Sequence, residues 1–265
     1  MNYTELSYFD VALAASLIAV NAGISIAMRL GLEQRMIIAA TRMVVQLSLV
    51  GLVLKALFAA ASPWFTALAM VVMVAFAGRE AMARQERKFT GYWSYGIGTG
   101  SMMTAAMIVT GFALATQLHA DPWYDPRYAI PVLGMILGNT MNGVSLGLDR
   151  LLNTVQRDRN AIEARLMLGE DIATAMRGAV RESLRAGLIP TINSMSAAGL
   201  VSLPGMMTGQ ILAGVEPGEA VKYQILIIFL IAGGTALGLF TAVTLAKHRL
   251  SDTRHRLRLD TLVSS

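Results

Sequence analysis

Seven apolar segments, each close to the length of a bilayer-spanning helix, constrain the fold of this chain more than any other feature. A helix needs roughly 20 apolar residues to cross the hydrocarbon core of a bilayer. Lipid offers the backbone no hydrogen-bond partners, so helices are the natural structure for such segments. The sequence therefore predicts an all-α, polytopic integral membrane protein with a single transmembrane domain over residues 1–265. The predicted spans are 9–28, 36–58, 63–79, 93–116, 129–148, 188–214 and 222–246.

Composition supports this class. Only 15% of the residues are charged, whereas about a quarter are charged in typical soluble domains. The chain has no cysteine, which excludes disulfides, thiolate metal sites and cysteine nucleophiles. The first span lacks a basic start and a small-residue cleavage site, so we expect a retained helix and not a signal peptide.

The basic residues fall in alternate loops. Most of the 22 Lys and Arg residues follow spans one, three and five or lie in the C-terminal tail. An excess of Lys and Arg marks the cytoplasmic side of a membrane protein. We therefore expect the N-terminus outside and the C-terminus in the cytoplasm. The net charge of +5 is then a topology signal, and nucleic acid is not an expected partner.

The segment 149–187, called the coupling loop below, is much longer than the other loops and contains no proline. Two amphipathic helical patterns occupy it, and Gly169 separates them. Glu170 begins the second pattern, where a carboxylate favours the positive end of the helix dipole. One interpretation is a basic hairpin lying on the anionic inner leaflet. The sharp turn at Gly169 favours the alternative, a helical element that docks on a cytoplasmic partner.

The sequence lacks the motifs of a nucleotide-binding or hydrolytic enzyme. None of its lysines completes a GxxxxGK[ST] phosphate loop, the usual backbone cradle for nucleotide phosphates. His119, His248 and His255 lie outside the spans and have no paired-ligand spacing. There is no GxSxG motif and no acidic pair within a span. If transport is driven by ATP, the ATPase must be another chain.

Polar side chains occur inside two of the early and middle spans. Arg42 and Gln46 are four residues apart in span two and share a helix face. An arginine in a membrane suggests an interior contact, although Arg42 is near enough to the predicted cytoplasmic end to snorkel. In span five, Asn139 and Asn142 accompany glycines at four-residue spacing, a pattern typical of close helix packing. The asparagines favour a polar cavity or an interhelical contact over lipid exposure.

Span six is interrupted by Pro204-Gly205. Proline removes one helix hydrogen bond and clashes with the preceding turn, and broken helices at membrane depth line cavities or are buried. The break is therefore a candidate hinge. Met206 and Met207 follow it; thioethers suit soft ions such as Cu(I), but methionine more often fills gaps.

Several stretches resemble a known family. They are "IPVLGMILGNTMNGVSLGLDRL" (130–151), "EARLMLG" (163–169), "AGLIPTINSMSAAGLVSLPGMMTGQILAG" (186–214) and "KYQILIIFLIAG" (222–233). Together they are similar to the FetB-type permease family of ABC transporters, whose bacterial members are associated with iron export and whose plant relatives are associated with aluminium tolerance. The "SLPGMM" block is specific to that family.

The resemblance implies a permease domain that works as a homodimer in the bacterial inner (plasma) membrane with a separate cytoplasmic ABC ATPase. That partner would bind ATP and Mg, and this chain would carry no cofactor. "EARLMLG" is similar to the start of the importer coupling motif, although Glu182 stands where that motif has proline. The expected coupling residues are Glu163, Ala164, Leu166, Gly169 and Glu170.

The resulting hypothesis is a permease subunit that exports iron, or another metal ion or metal-linked solute, using ATP hydrolysed by its partner. A stand-alone channel or secondary transporter for a small polar solute or cation is the alternative, and it would typically show internal repeats. A scaffold without transport leaves the polar content of spans five and six unexplained. The path candidates are Arg42, Gln46, Asn139, Asn142, Asn193, Ser202, Met206 and Met207, and the hinge is Pro204 with Gly205.

Overall fold

The computed structural model describes residues 7–60, 62–116, 122, 124–252 and 256–264. Within them the chain is mainly helical, with one pair of short strands. The helices are α1 Tyr8–Ala27, α2 Glu33–Ala60, α3 Pro63–Ala83, α4 Trp93–Thr116, α5 Pro126–Arg157, α6 Arg159–Met167, α7 Ile172–Ala175, α8 Arg177–Ala197, α9 Gly205–Leu212 and α10 Pro217–Arg249. The strands are β1 Arg87–Phe89 and β2 Leu262–Ser264.

Six helices among the described residues are long and apolar enough to cross a membrane: α1, α2, α3, α4, α5 and α10. They correspond to six of the predicted spans. The remaining predicted span, 188–214, is interrupted as predicted, but the interruption starts earlier than Pro204, because α8 ends at Ala197. The segment contains the end of α8, a break over 198–204, and α9. The backbone leaves the helix at Ala198 (ψ 130°), and Gly199 takes a positive φ of 83°.

The chain divides into two compact units. The first comprises Met1–Ala61 with Leu212–Gly214, and in it α1 packs on α2. Ser25 fixes the turn between these two helices, because its hydroxyl donates to Glu33 at 2.8 Å and accepts from the Leu32 amide at 3.0 Å. The turn also needs a positive φ at Gly31, a conformation that glycine adopts without strain.

The second unit, Ser62–Ile211 with Val215–Ser265, is built around α5. This helix packs against α3, α4, α8 and α10. Its inward side chains are almost completely buried, among them Leu133, Ile136, Leu148 and Leu151. The core continues along α5 beyond the predicted end of span five at 148, because Leu152 and Val155 are buried as well. About half of the predicted coupling loop is therefore an extension of α5 and α8.

Glycines allow α5, α8 and α10 to approach closely. A Cβ atom at Gly187 would lie 2.6 Å from the carbonyl oxygen of Gly143 and 2.6 Å from Leu239 Cδ2. Ser183, one turn earlier in α8, donates to the carbonyl oxygen of Gly147 at 2.5 Å. Small residues that bring backbones together in this way are typical of helix pairs in membranes. They fasten the first half of α8 to α5.

One end of the second unit collects the end of α3, the start of α4, and the ends of α5 and α10. We call it the basic end. There β1 pairs antiparallel with β2, with Lys88 opposite Val263, which the all-α prediction did not include. The Glu86 amide donates to Asp149 at 3.0 Å. Three Lys- and Arg-rich segments, at the ends of α3, α5 and α10, thus lie at this end.

Candidate functional site

A helical hairpin projects from the basic end between α5 and α8. Its first helix, α6, starts directly after α5, with Asp158 between them as the cap residue of both helices. Arg157 hydrogen-bonds to both carboxylate oxygens of Asp158, at 2.9 and 3.2 Å. This hydrogen bonding, followed by the charge of Arg157, lowers the pKa of Asp158. The hairpin is therefore joined to a membrane helix without an intervening flexible loop.

The turn of the hairpin is closed by backbone hydrogen bonds. The Glu170 amide donates to the carbonyl of Arg165 at 3.1 Å, and the Gly169 amide donates to that of Leu166 at 3.0 Å. This is the Schellman pattern, which requires a left-handed residue after the helix. Gly169 supplies it, with φ 92°. Asp171 then caps α7 by accepting from the Thr174 amide at 2.7 Å, so the predicted turn at Gly169 is confirmed.

One ion pair lies within the first arm of the hairpin and one spans its turn. Glu163 pairs with Arg159 one turn earlier in α6 at 2.9 Å. Glu170 pairs with Arg165 across the turn at 3.3 Å. Two of the predicted coupling residues thus take part in ion pairs of the hairpin, and each pair is about half exposed.

The tip of the hairpin presents apolar side chains that sequence reasoning did not select. Met167 is 83% exposed and Leu168 is 85% exposed. Leu166, which was selected, instead packs against the core of the unit, and Ala164 is exposed on α6. The signal for Met167 and Leu168 was available in the sequence: two large apolar residues directly precede the turn glycine and fall outside the buried stripe of α6.

A polar clamp joins α8 to the extension of α5. Glu182 of α8 receives a very short contact from Arg150 and lies 3.6 Å from Arg157. Thr154 donates to the same carboxylate at 3.4 Å. All three partners lie on the extension of α5 that was predicted as loop. The residue that departs from the importer motif therefore has a defined structural position.

The two asparagines of α5 have different environments. Asn142 accepts from Arg84, at the end of α3, at 2.6 Å, so the predicted interhelical contact is present. The Asn139 amide group donates to the carbonyl of Met135 in its own helix at 2.8 Å. Both side chains are exposed on the surface of the second unit. The contact of Arg84 with Asn142 was not predicted, because a sequence pattern does not link two residues that are 58 positions apart.

The second half of α8 and the following break are also exposed. Asn193, Ser194 and Ser196 lie on this part of α8 and are exposed. The close glycine contact of α8 with α5 occurs earlier, at Gly187. In the break, the Gly199 amide donates to the Ser202 carbonyl at 2.9 Å. The break before Pro204 agrees with the predicted interruption, while movement about it stays a prediction.

The methionines after the break are partly enclosed by the protein. Met206 is half-buried and packs against the apolar core, which supports gap-filling. Met207 is half-buried beside it. No group of three or more His, Asp or Glu side chains in the described ranges could hold a metal ion; His119 and His255 lie outside those ranges.

Arg42 and Gln46 belong to the first unit. They lie on α2, four residues apart, and therefore on one helix face. Both are exposed within the part of the chain that the structure describes. The other path candidates lie in the second unit, and a shared path between the two sets stays a prediction.

Several apolar helices of membrane-spanning length, with polar side chains on α5 and α8, define a polytopic helical membrane protein. The family model described as "Uncharacterised protein family (UPF0014)" matches residues 8–250. The chain belongs to this family of membrane proteins.

Its relatives include bacterial and plant proteins. The chain is 36% identical over 256 residues to the UPF0014 membrane protein slr1647 of Synechocystis, covering 95% of this chain and 96% of that protein. It is 34% identical to the "Probable iron export permease protein FetB" of Escherichia coli, covering 97% of each. It is 32% identical to the "Protein ALUMINUM SENSITIVE 3" of Arabidopsis thaliana, covering 88% of this chain and 84% of that protein. No solved structure gives a significant match.

Proposed function

We propose that this protein is the transmembrane permease subunit of an ABC transporter in the bacterial inner membrane. A separate cytoplasmic subunit hydrolyses ATP, and two copies of this chain enclose the path. The cargo is iron, or another metal ion or metal-linked solute, and it moves outward. The printed name of the Escherichia coli relative, an iron export permease, supports the cargo and the direction. The alternating Lys and Arg loops support a cytoplasmic position for the basic end.

The observation that carries the proposal is the hairpin at the basic end. Its tip exposes Met167 and Leu168 almost completely. These two apolar side chains stand beside the charged residues of α6 and the turn. Large exposed apolar groups beside polar ones mark protein interaction sites. A tip that enters a groove of a cytoplasmic ATPase would bury both side chains.

Force from the ATPase would pass into the membrane through α5 and α8. The hairpin is continuous with α5 at Asp158 and with α8 at Met176. The contact between Gly143 and Gly187 and the clamp at Glu182 hold the two helices together. A displacement of the tip would therefore move them as a pair.

The exposed second half of α8 supports a path between two copies. Asn193 is polar in a segment where lipid contact would leave its amide without partners. A water-filled path, or the facing surface of a second copy, would supply those partners. Asn142 and Arg84 add a polar contact on the same unit.

The docking step can be tested with a charge at the tip. We expect Leu168→Asp to abolish co-purification of the ATPase, because a buried unpaired carboxylate is costly. The control is Val263→Asp, since Val263 is an exposed apolar residue at the basic end that lies outside the hairpin. Retained co-purification in Leu168→Asp would show that the tip does not dock.

The transport step is tested by efflux of radiolabelled iron from vesicles, with ATP and with each subunit omitted in turn. The proposal requires efflux to need ATP, the ATPase and this chain together. Efflux that persists without ATP and the ATPase would establish the channel or secondary transporter. Unchanged efflux without this chain would remove iron as its cargo.

A further inference from the structure

A groove of about 990 Å³ lies at the basic end, between the start of α4 and the end of α10. The apolar part of its lining includes Trp93, Ile97 and Leu245. Arg249, His248 and the Gly91-Tyr92 turn also line it. The groove thus combines a hydrophobic surface with a cationic one where two membrane-spanning helices end.

Arg249 is prepared for an anion. Its guanidinium lies 4.5 Å above the centre of the Trp93 ring, so the ring covers one face of the guanidinium. Arginine held in this way binds phosphate with little further loss of freedom. The Nε atom is buried and has no hydrogen-bond partner among the described residues, and a buried donor without a partner is costly.

The carboxylate that interacts with Arg249 is shared with a second arginine. Asp260 is the acid whose pKa Arg249 affects, but its main partner is Arg258, which hydrogen-bonds to it at 3.0 Å and is the first cause of its lowered pKa. The first turn of α4 holds no acidic residue, so the positive end of that helix is also open to an anion.

We propose that the groove binds an anionic phospholipid of the surrounding bilayer, with the phosphate at Arg249 and an acyl chain along Trp93, Ile97 and Leu245. Basic pockets between membrane helices are suited to anionic headgroups. A phospholipid would contact the cationic residues with its phosphate and the apolar residues with its acyl chain. A soluble phosphate would leave the apolar residues exposed to water. The site depends on the membrane location of the chain and not on the proposed transport function.

Trp93 itself provides the probe. In a variant with Trp64→Phe and Trp123→Phe, Trp93 is the single tryptophan. Its fluorescence is titrated in nanodiscs with lipids brominated on the acyl chain, which quench only at contact. We expect brominated phosphatidylglycerol to quench at about fivefold lower mole fraction than brominated phosphatidylcholine, as one cation near the surface implies.

Arg249→Gln in the same background should remove this preference while phosphatidylcholine still quenches. The matched control is Arg256→Gln, because Arg256 pairs with Asp252 at 2.7 Å and does not line the groove; it should keep the preference. Equal quenching by the two lipids before any Arg249 change overturns the proposal, as does a preference that survives Arg249→Gln. Loss of the preference on adding inorganic phosphate would assign the site to a soluble anion and also overturn it.

Discussion

The turns before and after α8 share a glycine with positive φ and exposed apolar side chains, but they differ in the charged interactions that hold them. Each contains a glycine with positive φ, 92° at Gly169 and 83° at Gly199. Each exposes two apolar side chains; Leu200 and Val201 are 91% and 86% exposed, much like the hairpin tip. The turn at Gly169 is fastened by an ion pair and a capping carboxylate. The break at 198–204 contains no charged residue.

The difference indicates separate duties for the two ends of one helix. A docking element must keep its conformation when a partner binds. The ion pair and the helix cap at the Gly169 turn are consistent with that role. An element that changes the access of a path must have alternative conformations of similar energy. Low local stability is expected in such segments, and the break at 198–204 fits that description.

The largest expected effect comes from separating α8 from α5, since both turns depend on that contact. Gly187→Ala places a Cβ atom 2.6 Å from the Gly143 carbonyl, and such overpacking costs about 1–3 kcal/mol. Gly178→Ala in the same helix has open space around it and should stabilise the helix by about 0.5–1 kcal/mol. Thermal unfolding in detergent measures both. Equal midpoints would show that the close contact contributes nothing.

Gly169→Ala and Gly199→Ala test whether the two turns have different functions. A side chain at positive φ costs about 1–3 kcal/mol at either site, so the strain is matched. We expect Gly169→Ala to reduce ATPase co-purification and Gly199→Ala to reduce efflux while the ATPase remains bound. The same defect in both variants would contradict separate duties.

The hinge assignment predicts a smaller effect for Pro204→Ala. Restoring an N–H donor favours helix across the break, which should lower efflux and leave ATPase binding unchanged. Efflux and ATP hydrolysis are measured together in reconstituted vesicles. Wild-type values for both would identify a silent kink.

The clamp at Glu182 predicts a coupling of about 0.2–1 kcal/mol, because its ion pairs are half exposed. A double-mutant cycle with Glu182→Gln and Arg150→Gln in thermal unfolding measures this coupling. Strictly additive changes in the unfolding free energy would exclude the clamp.

The smallest effect concerns pH at the root of the hairpin. The pKa of Asp158 is lowered in the folded protein, chiefly by the hydrogen bond from Arg157. Its stabilisation is therefore present above the unfolded pKa and is lost as the pH falls through the folded value. Wild type should be more stable than Asp158→Asn at pH 7. The difference should begin to shrink below about pH 4 and disappear once the pH is below the lowered folded pKa of Asp158. A difference that persists in acid would require another cause.

Local sequence patterns predicted the apolar helices, the turn at Gly169 and the interruption near Pro204, because hydropathy, glycine and proline act within a few residues. They did not predict the pairing of residues 87–89 with 262–264, the contact of Arg84 with Asn142, or the partners of Glu182. Each joins segments distant in the sequence, and only packing decides which side chains meet. The expected coupling residues followed the resemblance of "EARLMLG" to the importer motif, which does not single out Met167 and Leu168.

The length of α5 has a mechanical consequence. Its 32 residues form a rod of about 48 Å at 1.5 Å per residue, well beyond the roughly 30 Å of hydrocarbon. Because the helix is this long, a tilt of about 5° displaces one of its ends by about 4 Å relative to the other. An ATPase that closes by only a few ångströms at the hairpin would thus reorient the whole rod, and the side chains of Asn139 and Asn142 would turn with it.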